Sequence, residues 1–218
     1  MLRKKEAKME LHTWILYVSV ALIAIISPGP AVLLAINNSV IYDLKATAFS
    51  TLGNVIGLFV LSSAAMLGLG VILKTSLVLF LAFKILGACY LIYIGMKQFR
   101  TLGNIFKQVE LTHKKSVAHY AKIFQKGFLV CITNPKPIIF FTALFPQFLN
   151  PETALVEQFF ILTVTFMVLS FSTLMSYAFF AKRLKSWFMT HQRALWFNRI
   201  SGAIFIALGF GLLGLERK

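Results

Sequence analysis

Two short stretches hold the residues best able to bind something: Ser27-Pro28-Gly29-Pro30 and Asn134-Pro135-Lys136-Pro137. Each interrupts an apolar run, residues 14–41 in the first case and 127–149 in the second. A proline inside a helix removes a backbone donor and clashes one turn back, at about 3 kcal/mol or more. A lysine at membrane depth adds a few kcal/mol to that. Proline at a first helical position is tolerated, because the donor it lacks would be orphaned anyway. New half-helices are therefore expected after Pro30 and after Pro137, capped by Ser27 and Asn134. The free N–H groups from Ala31 to Leu33 and from Ile138 to Phe140 would then carry the positive end of a helix dipole, a place for an anion.

The charges point the same way. Lys84 and Lys136 lie inside apolar runs, whereas Glu6, Glu10, Asp43, Glu110, Glu152, Glu157 and Glu216, all the acids of the chain, lie outside the runs or at their ends. Two buried cations without a protein counterion suit a small anion, and the carboxylate of an amino acid would serve. Lys136, held between prolines, is the stronger candidate; Lys84 is equally well explained by snorkelling to an interface. The substrate-binding candidates are thus Ser27, Pro28, Gly29, Pro30, Asn134, Pro135, Lys136, Pro137 and Lys84, with carbonyls near Ser27 and Asn134 taking an ammonium. Asp43, the only acid near a membrane-facing helix end, is the candidate for proton coupling.

Other chemistries find no residues. Cys89 and Cys131 fall within apolar runs, and His12, His113, His119 and His191 lie outside them without ligand spacing, so no metal or cofactor is expected. An intramembrane serine protease needs a histidine base beside its nucleophile. With every histidine outside the runs, an enzyme is not expected.

The elements that must position these residues are membrane helices. Of 218 residues, 58% are hydrophobic and 13% charged, with mean hydropathy +0.79, far from the roughly 25% charged of soluble domains. Six spans of the required length of about 20 residues are expected over 14–41, 47–73, 76–96, 127–149, 158–181 and 200–215. The first is long enough to be two half-helices, and in the second Gly53 and Gly57 have the spacing that lets helix backbones approach. Met1-Leu2-Arg3-Lys4-Lys5 followed by an apolar run reads as a retained first span rather than a signal peptide, with Met9 as an alternative start. The net charge of +15 lies in the gaps between runs, which speaks for topology and lipid headgroups rather than nucleic acid. The gap from Lys97 to Lys126 holds seven basic residues, so the positive-inside rule puts this connector in the cytoplasm and both termini outside.

Three spans before the connector and three after make the second half insert upside down relative to the first. The expected fold is an all-α integral membrane protein, one domain over 1–218, with six transmembrane helices as a 3+3 inverted repeat and broken first and fourth helices. The repeats cover about 11–96 and 126–215, with the connector at 97–125. Lys84-Ile85-Leu86-Gly87-Ala88 matching Arg199-Ile200-Ser201-Gly202-Ala203 in the partner span supports this. Broken helices at matching positions of two halves mark a substrate site near the bilayer midplane. The rival explanation is that each Pro-x-Pro only kinks a helix for packing.

These residues carry a resemblance. Ser27-Pro28-Gly29-Pro30, the Gly53 and Gly57 pair, the run from Lys84 through Tyr90 and Tyr93 to Gly95, Gly127-Phe128, Asn134-Pro135-Lys136-Pro137, Phe140-Phe141 and Pro146-Gln147-Phe148 resemble the LysE/RhtB family of amino-acid exporters. The match covers nearly the whole chain and loosens after Phe148. The resemblance implies efflux of amino acids and derivatives across the inner (plasma) membrane, driven by the membrane gradient. The expected function is a secondary exporter of a small neutral amino acid of the homoserine, threonine or leucine type, working by alternating access. Its partners would be that substrate and membrane lipids; proton coupling and a homodimer are compatible with it. The alternative is a channel-like or other small-solute or ion translocating membrane protein, with flux lacking saturation and stereoselectivity.

Overall fold

The computed structural model describes residues 9–27, 29–75, 77–100, 119–150, 153–181 and 191–214, and among these every regular element is helical. In chain order they are α1 (Leu11–Ile26), α2 (Pro30–Ile41), α3 (Leu44–Thr75), α4 (Leu77–Arg100), α5 (Tyr120–Thr133), α6 (Pro135–Ile139), α7 (Leu155–Phe179) and α8 (His191–Gly214). Between α6 and α7 the helix continues as a π turn, Phe140–Leu144, and a 3₁₀ turn, Phe145–Phe148. Most of the connector, residues 101–118, lies outside the described residues, but its flanks are helical: α4 runs on to Arg100 and α5 begins at Tyr120.

α3 and α7 are each long and apolar enough to cross a membrane. Each Pro-x-Pro break joins two shorter helices that together pass the same test, α1 with α2 bent by 58° and α5 with residues 135–148 bent by 50°. The breaks have a local cause. The residue before a proline is driven out of the helical region, and both Gly29 before Pro30 (φ −169°, ψ −174°) and Asn134 before Pro135 (φ −77°, ψ 119°) are extended. The second helix starts at Pro135, not after Pro137 where the sequence pattern placed it, because prolines fit the first helical turn, where no intrahelical donor is needed. Further on, Pro146 lacks a donor for the turn before it, and the ladder loosens there into the π and 3₁₀ turns. Thr142, inside that irregular stretch, gives its hydroxyl proton to Ile138 O at 2.9 Å.

Small residues set the helix pairings. α3 and α5 run parallel in close contact. A Cβ on Gly127 would overlap the Ser50 carbonyl, and one on Gly57 would lie 2.7 Å from the Cβ of Cys131. α4 and α8 run antiparallel, with Gly95 facing Gly202 and Gly209 facing Ala88, where an added Cβ would meet the opposing carbonyls at 2.6 and 2.9 Å. The aromatic core lies between α1 and the irregular helix. Tyr17, Phe141 and Phe145 are fully buried, Tyr17 stacks edge-on to Phe140 and Phe148 at 5.9 and 5.1 Å, and its hydroxyl donates to Leu162 O at 3.0 Å. This ties α1 to α7 and to the helix after the second break.

Candidate functional site

The two breaks meet. Lys136 Nζ donates to the carbonyl of Ser27 at 2.5 Å, joining residues 109 positions apart. A Cβ on Gly29 would lie 3.6 Å from the same Nζ. The reason is electrostatic as well as steric. The last carbonyls of a helix have no intrahelical partner and carry the negative end of its dipole. At the end of α1, the Ser27 carbonyl takes the Lys136 ammonium and the Ile26 carbonyl takes the Tyr177 hydroxyl at 2.7 Å. Lys136 is therefore not left without a partner, as the count of acids alone suggested: a helix terminus stands in for a carboxylate. An ammonium has three donors, and the Ser27 carbonyl takes one.

The caps differ from the expectation in one half. Asn134 Oδ1 accepts from Lys136 N at 3.1 Å and caps α6 as foreseen. Ser27 does not cap α2. It ends α1, its N–H bonded to Ile23 O at 3.3 Å, and its hydroxyl accepts from Gln98 Nε2 at 3.4 Å. The residue beside Pro30 at the start of α2 is Gly29, which has no side chain to cap with.

Among the described residues, the free donors are fewer than expected and lie at one break only. At the second break, Pro135 and Pro137 have no N–H, Lys136 N is capped, and Asn134 N bonds Cys131 O at 3.1 Å, so all four orphan positions are accounted for. Ile138 N reaches Asn134 O and Phe140 N reaches Lys136 O. At the first break Leu33 N bonds Gly29 O at 3.0 Å, but the N–H groups of Ala31 and Val32 have no acceptor among the described residues. The α2 terminus at Ala31 and Val32 and the Lys136 side chain line the narrow cavity together.

Two cavities share this junction. A narrow one of about 40 Å³ lies toward α3 and α7, lined by Ala31, Val32, Asn54, Leu58, Phe140, Phe166, Ser170 and Leu174 among others. A wide one of about 380 Å³ lies toward α4 and α8, lined by Pro30, Leu33, Tyr90, Tyr93, Lys97, Gln98, Pro135 and Asn198 among others. Gly29, Asn134 and Lys136 line both, so the paired breaks form the partition between them. A further recess beside Tyr93, Met96, Lys97 and Arg100 continues along α4 toward its C-terminal end.

Of the residues singled out from the sequence, Ser27, Gly29, Pro30, Asn134, Pro135, Lys136 and Pro137 are brought to one place. Pro28 and the side chain of Lys84 lie outside the described residues. Asp43 is exposed and lines neither cavity; its Oδ1 accepts from Ala46 N at 2.6 Å, which makes it the N-cap of α3. Sequence reasoning missed Asn54, Gln98, Ser170 and Tyr177. Asn54, Ser170 and Tyr177 are polar side chains within otherwise apolar runs, and that rule could have flagged them; Gln98 falls in the basic connector, where no such signal marks it.

Helices broken around a half-buried cation, in a chain of this hydropathy, define an all-helical membrane protein with a solute-sized cavity at its helix breaks. The model of the LysE type translocator family matches residues 22–215, and the chain belongs to that family. It is a translocator, not an enzyme. It is 30% identical over 201 residues to a homoserine/homoserine lactone efflux protein of Salmonella typhi, covering 92% of this chain and 96% of that one. The protein of the same description in Salmonella typhimurium is 29% identical over the same shares. An uncharacterized membrane protein, YrhP of Bacillus subtilis, is 30% identical over 207 residues, 93% of this chain and 98% of the relative. No solved structure matches the chain.

Proposed function

We propose that the protein is a secondary transporter that exports a small neutral amino acid, of the homoserine, threonine or leucine type, across the inner membrane by alternating access. The observation that carries this is the Lys136–Ser27 contact at the wall between two cavities. A barrier one side chain thick, held by an exchangeable hydrogen bond, opens to one side or the other without unfolding a helix. The substrate carboxylate takes the two remaining donors of Lys136, and its ammonium turns to the carbonyls released at the end of α1. The Salmonella relatives, described as homoserine/homoserine lactone efflux proteins, agree with a substrate of this size.

The architecture proposed for this cycle is six spans in two inverted triplets, α1 to α4 and α5 to α8, each opened by its broken helix. It is supported by the antiparallel seam of α4 against α8 through Gly95 and Gly202, the two helices that hold the matched Lys84 and Arg199 segments. The basic connector is assigned to the cytoplasm. Cells loaded with dipeptides and assayed for the amino acids they excrete test the function. Saturable, stereoselective excretion that disappears on deletion is expected. Unchanged excretion on deletion would refute export, and non-saturating flux would indicate a channel.

A further inference from the structure

We infer that Asn54 and Ser170 read the tip of the substrate side chain and select a short one ending in a hydroxyl over one ending in a methyl; this rests on the export reading above. Asn54 on α3 and Ser170 on α7 are 6% and 5% exposed and both line the narrow cavity. Asn54 Nδ2 donates to Ser170 Oγ at 3.3 Å.

Their hydrogen bonding is incomplete. Ser19, Ser62 and Ser176 give their hydroxyl protons to carbonyls three or four residues back along their own helices. Ser170 gives its proton to no acceptor among the described residues, and Asn54 Oδ1 accepts from no donor among them. The pair therefore presents two donors, the Ser170 O–H and the second Asn54 N–H, beside one acceptor, Asn54 Oδ1, on the wall of the narrow cavity. Besides Asn134 and Lys136, every other side chain on that wall is apolar.

A hydroxyl both donates and accepts, and it matches the pair. A second ammonium does not: it needs acceptors and a counterion, and this lining holds no carboxylate and already holds Lys136. Size sets the rest. At about 40 Å³ the narrow cavity holds roughly three waters by the measure of one water per 10–15 Å³, too little for a whole amino acid. It shares Lys136 with the wide cavity. A substrate held by its carboxylate from the wide side projects only its side chain, a few heavy atoms, toward Asn54 and Ser170. A site built to bond a hydroxyl rejects the analogue without one far more strongly than an apolar pocket rejects an added methylene.

The test is uptake by the purified protein in proteoliposomes, comparing homoserine with norvaline and threonine with valine, pairs that exchange a hydroxyl for a methyl. The wild type is expected to favour the hydroxyl member by about tenfold or more, the worth of one net hydrogen bond to a buried group. Asn54→Leu and Ser170→Ala are expected to bring that ratio close to one while norvaline and valine are still carried. If Asn54→Leu carries nothing, Ser170→Ala, which removes a single oxygen, decides by the same ratio. A wild type carrying all four amino acids equally, or variants that keep the wild-type ratio, overturns the inference and leaves export standing. A wild type that carries none of the four overturns this inference, while the export reading stands or falls on the dipeptide-loading assay.

Discussion

Replacing Lys136 by glutamine separates its two jobs, holding the end of α1 and holding the substrate. A glutamine amide reaching the Ser27 carbonyl keeps one neutral hydrogen bond where the ammonium now makes a 2.5 Å contact, so the helix end stays capped. What is lost is the charge facing the α1 dipole, about 0.3–1 kcal/mol and up to about 2 in a partly buried setting. For transport the loss is larger. A charge-assisted hydrogen bond to a carboxylate is worth about 1.5–3 kcal/mol, which at 1.4 kcal/mol per decade is a fall in affinity of about 10- to 150-fold. Lys136→Met removes the cap as well and leaves the Ser27 carbonyl bare, adding about 1–3 kcal/mol of instability. Concentration-dependent uptake in proteoliposomes, with thermal unfolding in detergent alongside, measures both. The expected pattern is a matching loss of affinity in the two variants with a larger loss of stability in Lys136→Met. Normal affinity in a folded Lys136→Gln protein, or affinity losses that merely follow stability, would refute the assignment of Lys136 to the substrate.

Three further outcomes follow from the packing. Gly127→Ala drives a Cβ into the Ser50 carbonyl and is expected to destabilise by about 1–3 kcal/mol, whereas Gly68→Ala, with open space around its Cβ, gains up to about 1 kcal/mol from helix propensity; unfolding midpoints of the two variants check the contrast. Tyr177→Phe leaves the Ile26 carbonyl without its 2.7 Å partner and is expected to cost about 0.6–1.7 kcal/mol, the range for polar contacts between membrane helices, read by the same unfolding assay. Asp43→Asn keeps the α3 cap made with Ala46 N and is expected to leave stability and transport unchanged, while Asp43→Ala costs about 0.5–2 kcal/mol. Transport by Asp43→Asn that no longer responds to dissipation of the proton gradient would assign Asp43 to coupling.

The places where helices stop were legible because their causes are local. Gly29 and Asn134 are extended because a proline follows each, and Asn134 caps because its side chain reaches only two residues on. The Gly53 and Gly57 spacing pointed to a close helix neighbour, but that the neighbour is α5 rather than an adjacent span depends on Gly127 and Ser50 coming together in space. Ser27 misled for the same reason. It has the chemistry of a cap, but the bend between α1 and α2 places its carbonyl on Lys136 and its hydroxyl within reach of Gln98.

From composition and residue order alone came the membrane class, the two breaks and the stranded charge of Lys136, since each reflects the standing of a short segment against water, lipid or its own backbone. The partners came only from the folded chain. Lys136 with the α1 terminus, Tyr177 with Ile26, and Asn54 with Ser170 join positions 109, 151 and 116 residues apart. A helix terminus acting as the counterion is invisible to a count of acidic side chains, because its charge belongs to aligned peptide groups and acts only where packing brings a cation to it.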